Sequence, residues 1–556
     1  MLLVIGIDGA NPELIERLTS TGQMPVLRSL MRHGVYGRLE PAPNCGPICA
    51  WSSLLTGVNP GKHGVWDLRN LVPESYEWQP AHARLLRAPT LAQILTDRGK
   101  EVGTLFVPMT YPAREAEWTT IAGWLAPSVD APGFAQPRRA ASMAARRLQG
   151  VPLAVQLGGY AAAGRYEPGL ELALQALQAK VGLAQEMLAD RSWDMLMVSI
   201  TELDRVLRWY WHVHDRHHPD HREDTRSAGP DPVVRMHAEV DAAVGRLIEG
   251  LRPSDHLLVL SPYGVGVNSR AAACVPELMS HLDLLITRSA AGGLWHGFTR
   301  AVAGATDATF GLLRRLLPGR LADLVPVAAD EGGATRIAEV DPWLDYERTW
   351  VIPAPGGHLF LNTESEFPLG VAGDGVIDQL VFRIASALQT AIDPATGRRP
   401  LLWVRSRHQV AGGPFLHRIP HLVTRWDATR TVEGLTVTGR DGRVHIARPT
   451  GGRAPSGAPC AEGMLIAAGL GLRRGARIEG AGVEDVAASI VHLCGEPVPS
   501  YFDGRVLAEA MTPGFLHRRP PRALERELPR IIEQPERIAE TSRIVREHLR
   551  ALGYEY

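Results

Sequence analysis

Leu2-Leu3-Val4-Ile5-Gly6-Ile7-Asp8-Gly9, followed by Pro12-Glu13-Leu14-Ile15-Glu16-Arg17-Leu18, decides the fold class. A continuous apolar run ends on a carboxylate and a glycine, and apolar residues then recur at helical spacing. An unbroken run of this length reads as a strand buried on both faces, the kind found inside parallel sheets. The order recurs: strands are expected at Val102–Val107, Met195–Ile200 and His256–Ser261, with helices at Thr90–Arg98, Leu170–Leu188 and Met236–Leu251. Strand and helix alternation of this kind predicts an α/β fold, a mainly parallel central sheet with helices on both faces. Ligands of such sheets sit beyond the carboxyl ends of the strands, where Asp8, Thr201–Asp204 and Ser261–Tyr263 fall.

Working outward, residues 1–267 form the first part of the core, with a Pro-, Arg- and Ala-rich cap insertion at about 131–164. Residues 268–341 lose the alternation and read as an inserted helical lid, with an amphipathic segment at Phe310–Leu321. Residues 342–510 resume as the second part of the core, with strands at Leu359–Asn362, Leu402–Val404 and Met464–Ala467 and helices at Val376–Ile392 and Val483–Leu493. Residues 511–556 form a C-terminal helical extension, its Arg/Glu-rich stretch Arg522–Leu552 reading as one or two surface helices.

The chain of 556 residues carries 59 Lys+Arg against 60 Asp+Glu, so no overall basic field exists to hold a nucleic-acid backbone. No apolar stretch reaches the roughly 18 residues of a membrane span, and the N-terminus lacks the basic start and cleavage site of a signal peptide. Five cysteines, at 45, 49, 274, 460 and 494, are too sparse for a disulfide framework and fit a reducing, cytoplasmic setting. A Walker loop, a dinucleotide fingerprint and a CxxC pair are all missing.

Several short motifs occur in a telling order. They are Val4-Ile5-Gly6-Ile7-Asp8-Gly9-Ala10, Ala50-Trp51-Ser52-Ser53-Leu54-Leu55-Thr56-Gly57-Val58-Asn59-Pro60-Gly61-Lys62-His63-Gly64, Val107-Pro108-Met109-Thr110-Tyr111-Pro112, Thr201-Glu202-Leu203-Asp204-Arg205, Gly357-His358-Leu359-Phe360-Leu361-Asn362, Glu462-Gly463-Met464-Leu465-Ile466 and Asp503-Gly504-Arg505-Val506-Leu507. Together they resemble the type I phosphodiesterase/nucleotide pyrophosphatase branch of the alkaline phosphatase superfamily over nearly the whole chain. The resemblance implies an alkaline-phosphatase-like α/β fold. It also implies phosphoester chemistry by a Thr or Ser nucleophile beside two divalent metals held by Asp and His, since a metal pair clamps the attacking and leaving oxygens together.

The chemistry-bearing positions depart from that pattern. Asp8 and Asp204 stand where the resemblance places metal-binding aspartates. The nucleophile position falls on Pro47, in Cys45-Gly46-Pro47-Ile48-Cys49. Arg208 replaces a histidine one helical turn beyond Asp204, Pro262-Tyr263 replaces an Asp-His pair, and Pro459 replaces the last histidine. Of six implied ligands, only the two aspartates remain.

The expectation is therefore a repurposed protein without the usual two-metal site. It acts as a ligand- or partner-binding pseudoenzyme, or as a metal-independent enzyme in the old pocket, taking a small anionic molecule or a partner protein and needing no cofactor. The pocket comprises Asp8, Asp204, Arg208 and His63, with the Arg208 guanidinium placed in the vacated cation space and Tyr263 in that of a lost histidine. Two alternatives stay open. A rebuilt zinc or other divalent site would draw on Asp8, Asp204 and His212, from the histidine-rich Trp211–His221 stretch, and keep phosphodiesterase or phosphatase activity. Cysteine-dependent acyl or group transfer would use Cys45 or Cys49 with Tyr263 or His63 moving the proton. The oligomeric state has no signature in the sequence.

Overall fold

The computed structural model describes residues 1–552 except 41, 44–45, 115–117, 191, 223–229, 289–343, 440–441, 451–453, 461 and 530. Nine strands make the main sheet: β1 (Leu2–Ile7), β2 (Val35–Leu39), β3 (Val102–Leu105), β4 (Thr119–Ile121), β5 (Ala135–Gln136), β6 (Met195–Ile200), β7 (His256–Ser261), β8 (Gly463–Gly469) and β9 (Ala476–Ala481). Their order is β9-β2-β8-β7-β1-β6-β3-β4-β5. The expected α/β class, a mostly parallel sheet flanked by helices, is what forms. β1 lies at its centre, parallel to β6 and β7 with Ile7 opposite Ile200 and Gly6 opposite Leu260. The exceptions are β8, antiparallel to both β7 and β2, and the short β5, antiparallel to β4 at one edge.

Every residue of β1, β6 and β7 is buried, which is why they read as apolar runs rather than alternating ones. Helices Tyr166–Asp190, Glu202–His214 and Pro232–Ile248 contribute apolar faces to the same core. The last of these starts where Asp231 accepts hydrogen bonds from the Val233 and Val234 backbone N–H groups, with proline at the first helical position. The strand expected to reach Val107 stops at Leu105, because Phe106 turns the backbone to a φ of +60°.

A second apolar cluster is built elsewhere. Strands Val351–Ala354, His358–Leu361, Leu401–Ser406 and Leu422–Trp426 form a four-stranded antiparallel sheet of their own, covered by helix Ile377–Thr390. Only after this sheet does the chain return to the main one, through β8 and β9. The helix Pro535–Ala551 sits within the stretch expected to be surface helices, yet Val545 and Leu549 on it are fully buried. Its charged outer face hides an i, i+4 apolar pair that anchors it. The amphipathic segment Phe310–Leu321 and most of the lid expectation lie outside the described residues.

Candidate functional site

The carboxyl ends of β6, β1 and β7 lie side by side, so Asp8, the Thr201–Asp204 turn and Tyr263 meet. Two glycines let them approach. Gly9, at a φ of +76°, has the Asp204 Cα so near that a side-chain carbon built on Gly9 would sit 3.1 Å from it. Gly6 leaves room for the Trp51 indole, whose Cη2 would lie 2.4 Å from any such carbon on Gly6. Helix Pro47–Thr56 can therefore bring Trp51 against β1 at Gly6, and its indole N–H reaches Asp8.

Three side chains then close on the two carboxylates. Trp51 Nε1 donates to Asp8 Oδ1 at 2.6 Å. Tyr263 Oη donates to Asp204 Oδ1 at 3.1 Å, and Arg208 Nε donates to Asp204 Oδ2 at 2.8 Å. Asp8, Asp204 and Tyr263 are 2%, 6% and 1% exposed, while the Arg208 side chain keeps 24%. Burial, and next the neighbouring Asp204, push the Asp8 carboxyl up to about 8, so it is chiefly protonated at neutral pH. Burial and the same two carboxylates hold the Tyr263 phenol well above its ordinary range, so it stays a hydrogen-bond donor.

A second buried ion pair supports the turn. Lys180 Nζ reaches Glu202 Oε1 at 2.5 Å, Leu153 O at 3.1 Å and Thr201 Oγ1 at 3.3 Å, and sits 5.3 Å from the Phe106 ring centroid. Glu202 Oε2 in turn accepts the Thr201 backbone N–H at 3.1 Å. These contacts fix the start of helix Glu202–His214, from whose first turn Asp204 projects.

The other residues singled out from the sequence go elsewhere. His63 is fully buried: Nδ1 accepts the Val65 backbone N–H at 3.3 Å, which puts its hydrogen on Nε2, 3.2 Å from Ser53 Oγ. Burial pulls it down to about 3, so it is neutral and acts as a brace for the Asn59–Gly64 turn rather than as a member of the Asp8 and Asp204 cluster. His212 is spoken for at both ring nitrogens, with Tyr166 Oη at 2.9 Å and Ser456 Oγ at 2.9 Å. It lies two turns beyond Asp204, about 12 Å by helical rise. His214 pairs with Asp231, and His218 is buried with its Nδ1 accepting the Asp220 backbone N–H. Cys49 is buried in the first turn of helix Pro47–Thr56. Pro47 opens that helix, and Pro459 lies in a short strand paired with Gly264–Val267. Cys45 lies outside the described residues.

Residues 2–310 match the family model described as type I phosphodiesterase / nucleotide pyrophosphatase. The chain belongs to that family. No curated relative matches its sequence. Similar solved structures include murine ectonucleotide pyrophosphatase / phosphodiesterase 5, at 10% identity and a TM-score of 0.43, covering 92% of this chain and 100% of that one. Phosphonoacetate hydrolase from Sinorhizobium meliloti 1021, in complex with phosphonoformate, matches at 14% identity and a TM-score of 0.48, covering 88% and 95%. Human ectonucleotide pyrophosphatase / phosphodiesterase 5 matches at 10% and 0.42, covering 89% and 95%.

The type I phosphodiesterase resemblance implies a metal pair, and the residues at this chain's strand ends do not fit one. Both Asp204 oxygens already accept hydrogen bonds, one from a guanidinium whose charge repels a divalent cation. Among the described residues, no group of three or more His, Cys, Asp or Glu is placed to hold a metal ion. The set Asp8, Asp204 and His212 is not brought together. Nor is any described helix long and apolar enough to cross a membrane.

Sequence reading missed Trp51, Lys180 and Ser456. Trp51 had one legible signal, a large aromatic facing a glycine inside a run of otherwise bulky strand residues. Lys180, one of three lysines in the chain, gave none, since its partner Glu202 is set by the fold.

Proposed function

We propose that this chain is a non-hydrolysing member of its family, a binding protein whose former metal pocket is closed by its own side chains. The observation that carries the reading is the engagement of both Asp204 oxygens, one by Tyr263 and one by Arg208. In a two-metal enzyme such carboxylate oxygens face cations and a substrate oxygen. Here a fixed guanidinium supplies the positive charge and two neutral donors supply the remaining contacts. The second aspartate is relieved by taking a proton rather than a metal.

A pocket satisfied in this way stabilises a scaffold, and the described residues bonded to its two aspartates are Trp51, Tyr263 and Arg208 rather than a Thr or Ser nucleophile. Proline at the nucleophile position and a buried Cys49 agree with that reading. Binding of a small anion or a partner protein is then left to the surface around the pocket, where Arg208 remains partly exposed. The test is turnover of bis(p-nitrophenyl) phosphate and p-nitrophenyl phosphate by purified protein, with and without added zinc or manganese. The expected result is no turnover above buffer. Metal-dependent turnover that Asp204→Asn abolishes would overturn the proposal.

A further inference from the structure

Four arginines from three separate segments of the chain run from the Asn59–Gly64 turn, at Arg87 and Arg418, to Glu533, at Arg84 and Arg114. Loop 412–418 is fastened to that turn by Phe415 N–H donating to Gly61 O at 2.8 Å, and Arg418 Nη1 donates to Gly64 O at 3.3 Å. From the other side, Arg87 N–H donates to His63 O at 3.0 Å, and Arg87 Nη1 donates to Arg84 O at 3.3 Å. The two arms meet over Gly64, where a side-chain carbon would lie 3.1 Å from Arg87 Cγ and 3.5 Å from Arg418 Nη1. Arg84 and Arg114 reach opposite oxygens of Glu533, at 3.3 Å and 3.1 Å. His82, two residues before Arg84, ties this wall to the C-terminal helix through Ser542 at 3.0 Å.

The charges do not balance. Arg84 and Arg114 pair with Glu533 and Arg87 feels its charge, while Arg418 lies beside Arg87 and over the Phe415 ring, 5.3 Å from its centroid; among the described residues, Glu533 is the only acid within ion-pair distance of any of the four. The Arg84 and Arg418 Nε atoms are buried without a hydrogen-bond partner. Burial, and then Arg87, pull Arg418 down to about 10, and burial also lowers Arg87 and Arg114. Arginine does not deprotonate in proteins, so these guanidiniums stay charged in partly dehydrated surroundings. Long arginine side chains escape such crowding by swinging into water, yet backbone contacts at Gly64 and Arg84 hold these in place. Such an arrangement is stabilised by an oxyanion with several acceptor oxygens, which the planar forks of arginine engage in pairs.

We propose that Arg84, Arg87, Arg114 and Arg418 form a binding site for a phosphate-bearing anion, with Glu533 as the internal counter-ion on one wall. None of the four arginines takes part in the closed pocket, where the side chains bonded to Asp8 and Asp204 are Trp51, Tyr263 and Arg208. It does not depend on whether the chain hydrolyses anything.

The test uses the full chain and sodium pyrophosphate at low, matched ionic strength, followed by calorimetry and thermal unfolding. Pyrophosphate is expected to bind and to raise the unfolding temperature. Arg87→Met and Arg418→Met are each expected to weaken binding about tenfold or more, the scale of losing a charge-assisted contact. Arg139→Met, at an exposed arginine that pairs with Asp190, should leave that affinity unchanged, and Glu533→Gln should strengthen it. Without anion, Arg418→Met should be at least as stable as the parent, because it removes a repelled charge. Absence of pyrophosphate binding at millimolar concentration would overturn the proposal. So would binding that persists in Arg87→Met and Arg418→Met, or marked destabilisation of anion-free Arg418→Met, which would make the arginines structural.

Discussion

Replacing Arg208 by methionine tests the idea that a guanidinium stands in for a cation. Methionine keeps most of the side-chain length, so the change removes the charge and the 2.8 Å hydrogen bond to Asp204 with little loss of volume. Two limits bracket the cost. A fully exposed ion pair contributes about 0–1 kcal/mol, and removing one partner of a fully buried pair costs about 3–5 kcal/mol. Arg208 and Asp204 side chains are 24% and 8% exposed, nearer the buried limit on the acid's side and screened on the base's side. The expected loss is about 2–3 kcal/mol, since Asp204 keeps its Tyr263 contact but loses its direct ion pair in a largely buried setting. The assay is urea unfolding followed by tryptophan fluorescence, comparing midpoints at unchanged slope. Asp204→Asn should remove most of the penalty when combined with Arg208→Met, giving a coupling of about 1 kcal/mol or more in the double-mutant cycle. A loss below about 0.5 kcal/mol, the scale of an ordinary surface substitution, would refute the reasoning: the guanidinium would be a surface group and the aspartates would be satisfied some other way.

Three further outcomes follow from the same geometry. Tyr263→Phe leaves no cavity but strips a buried donor from Asp204, and should cost about 1.5–3 kcal/mol in the same unfolding assay. Asp8 has its carboxyl raised to about 8 from an ordinary value of 3.8, so the folded state holds a proton that the unfolded state releases. That contribution is fully present below about pH 4 and is lost as pH rises towards 8; Asp8→Asn, which mimics the protonated form, should gain stability relative to the parent as pH increases through this window. Arg208→His restores the residue type that the family resemblance implies, yet isothermal titration with zinc should show no binding, because the other implied positions are Pro262, Tyr263 and Pro459.

The fold was legible because the strands that matter are buried on both faces, and such strands advertise themselves as apolar runs: β1, β6 and β7 fall where Leu2–Ile7, Met195–Ile200 and His256–Ser261 were expected. The separate antiparallel sheet of residues 351–426 was not legible, because short strands joined by turns look alike whichever sheet they enter. Within the site, the pairing of Arg208 with Asp204 could be read from an i, i+4 spacing on one helix. Trp51 could not be read that way, since its hydrogen bond to Asp8 depends on how helix Pro47–Thr56 lies across Gly6. The histidines at 212–221 show the converse problem. Composition made them look like ligands, whereas His212, His214 and His221 each bond to neighbours through ring nitrogens.

The arginine cluster of residues 84, 87, 114 and 418 has no local sequence signal. Its members come from separated segments, and only the docking of loop 412–418 on the Asn59–Gly64 turn brings Arg418 to Arg87.

The most direct test of the central claim is the metal content of protein purified without chelator or nickel affinity, measured by inductively coupled plasma mass spectrometry after dialysis against zinc and manganese. Protein that emerges without stoichiometric metal is the expected result, with Arg208 and Tyr263 retained on Asp204. Retention of zinc, manganese or iron near two equivalents per chain would contradict it and place a working metal pair where the guanidinium now lies.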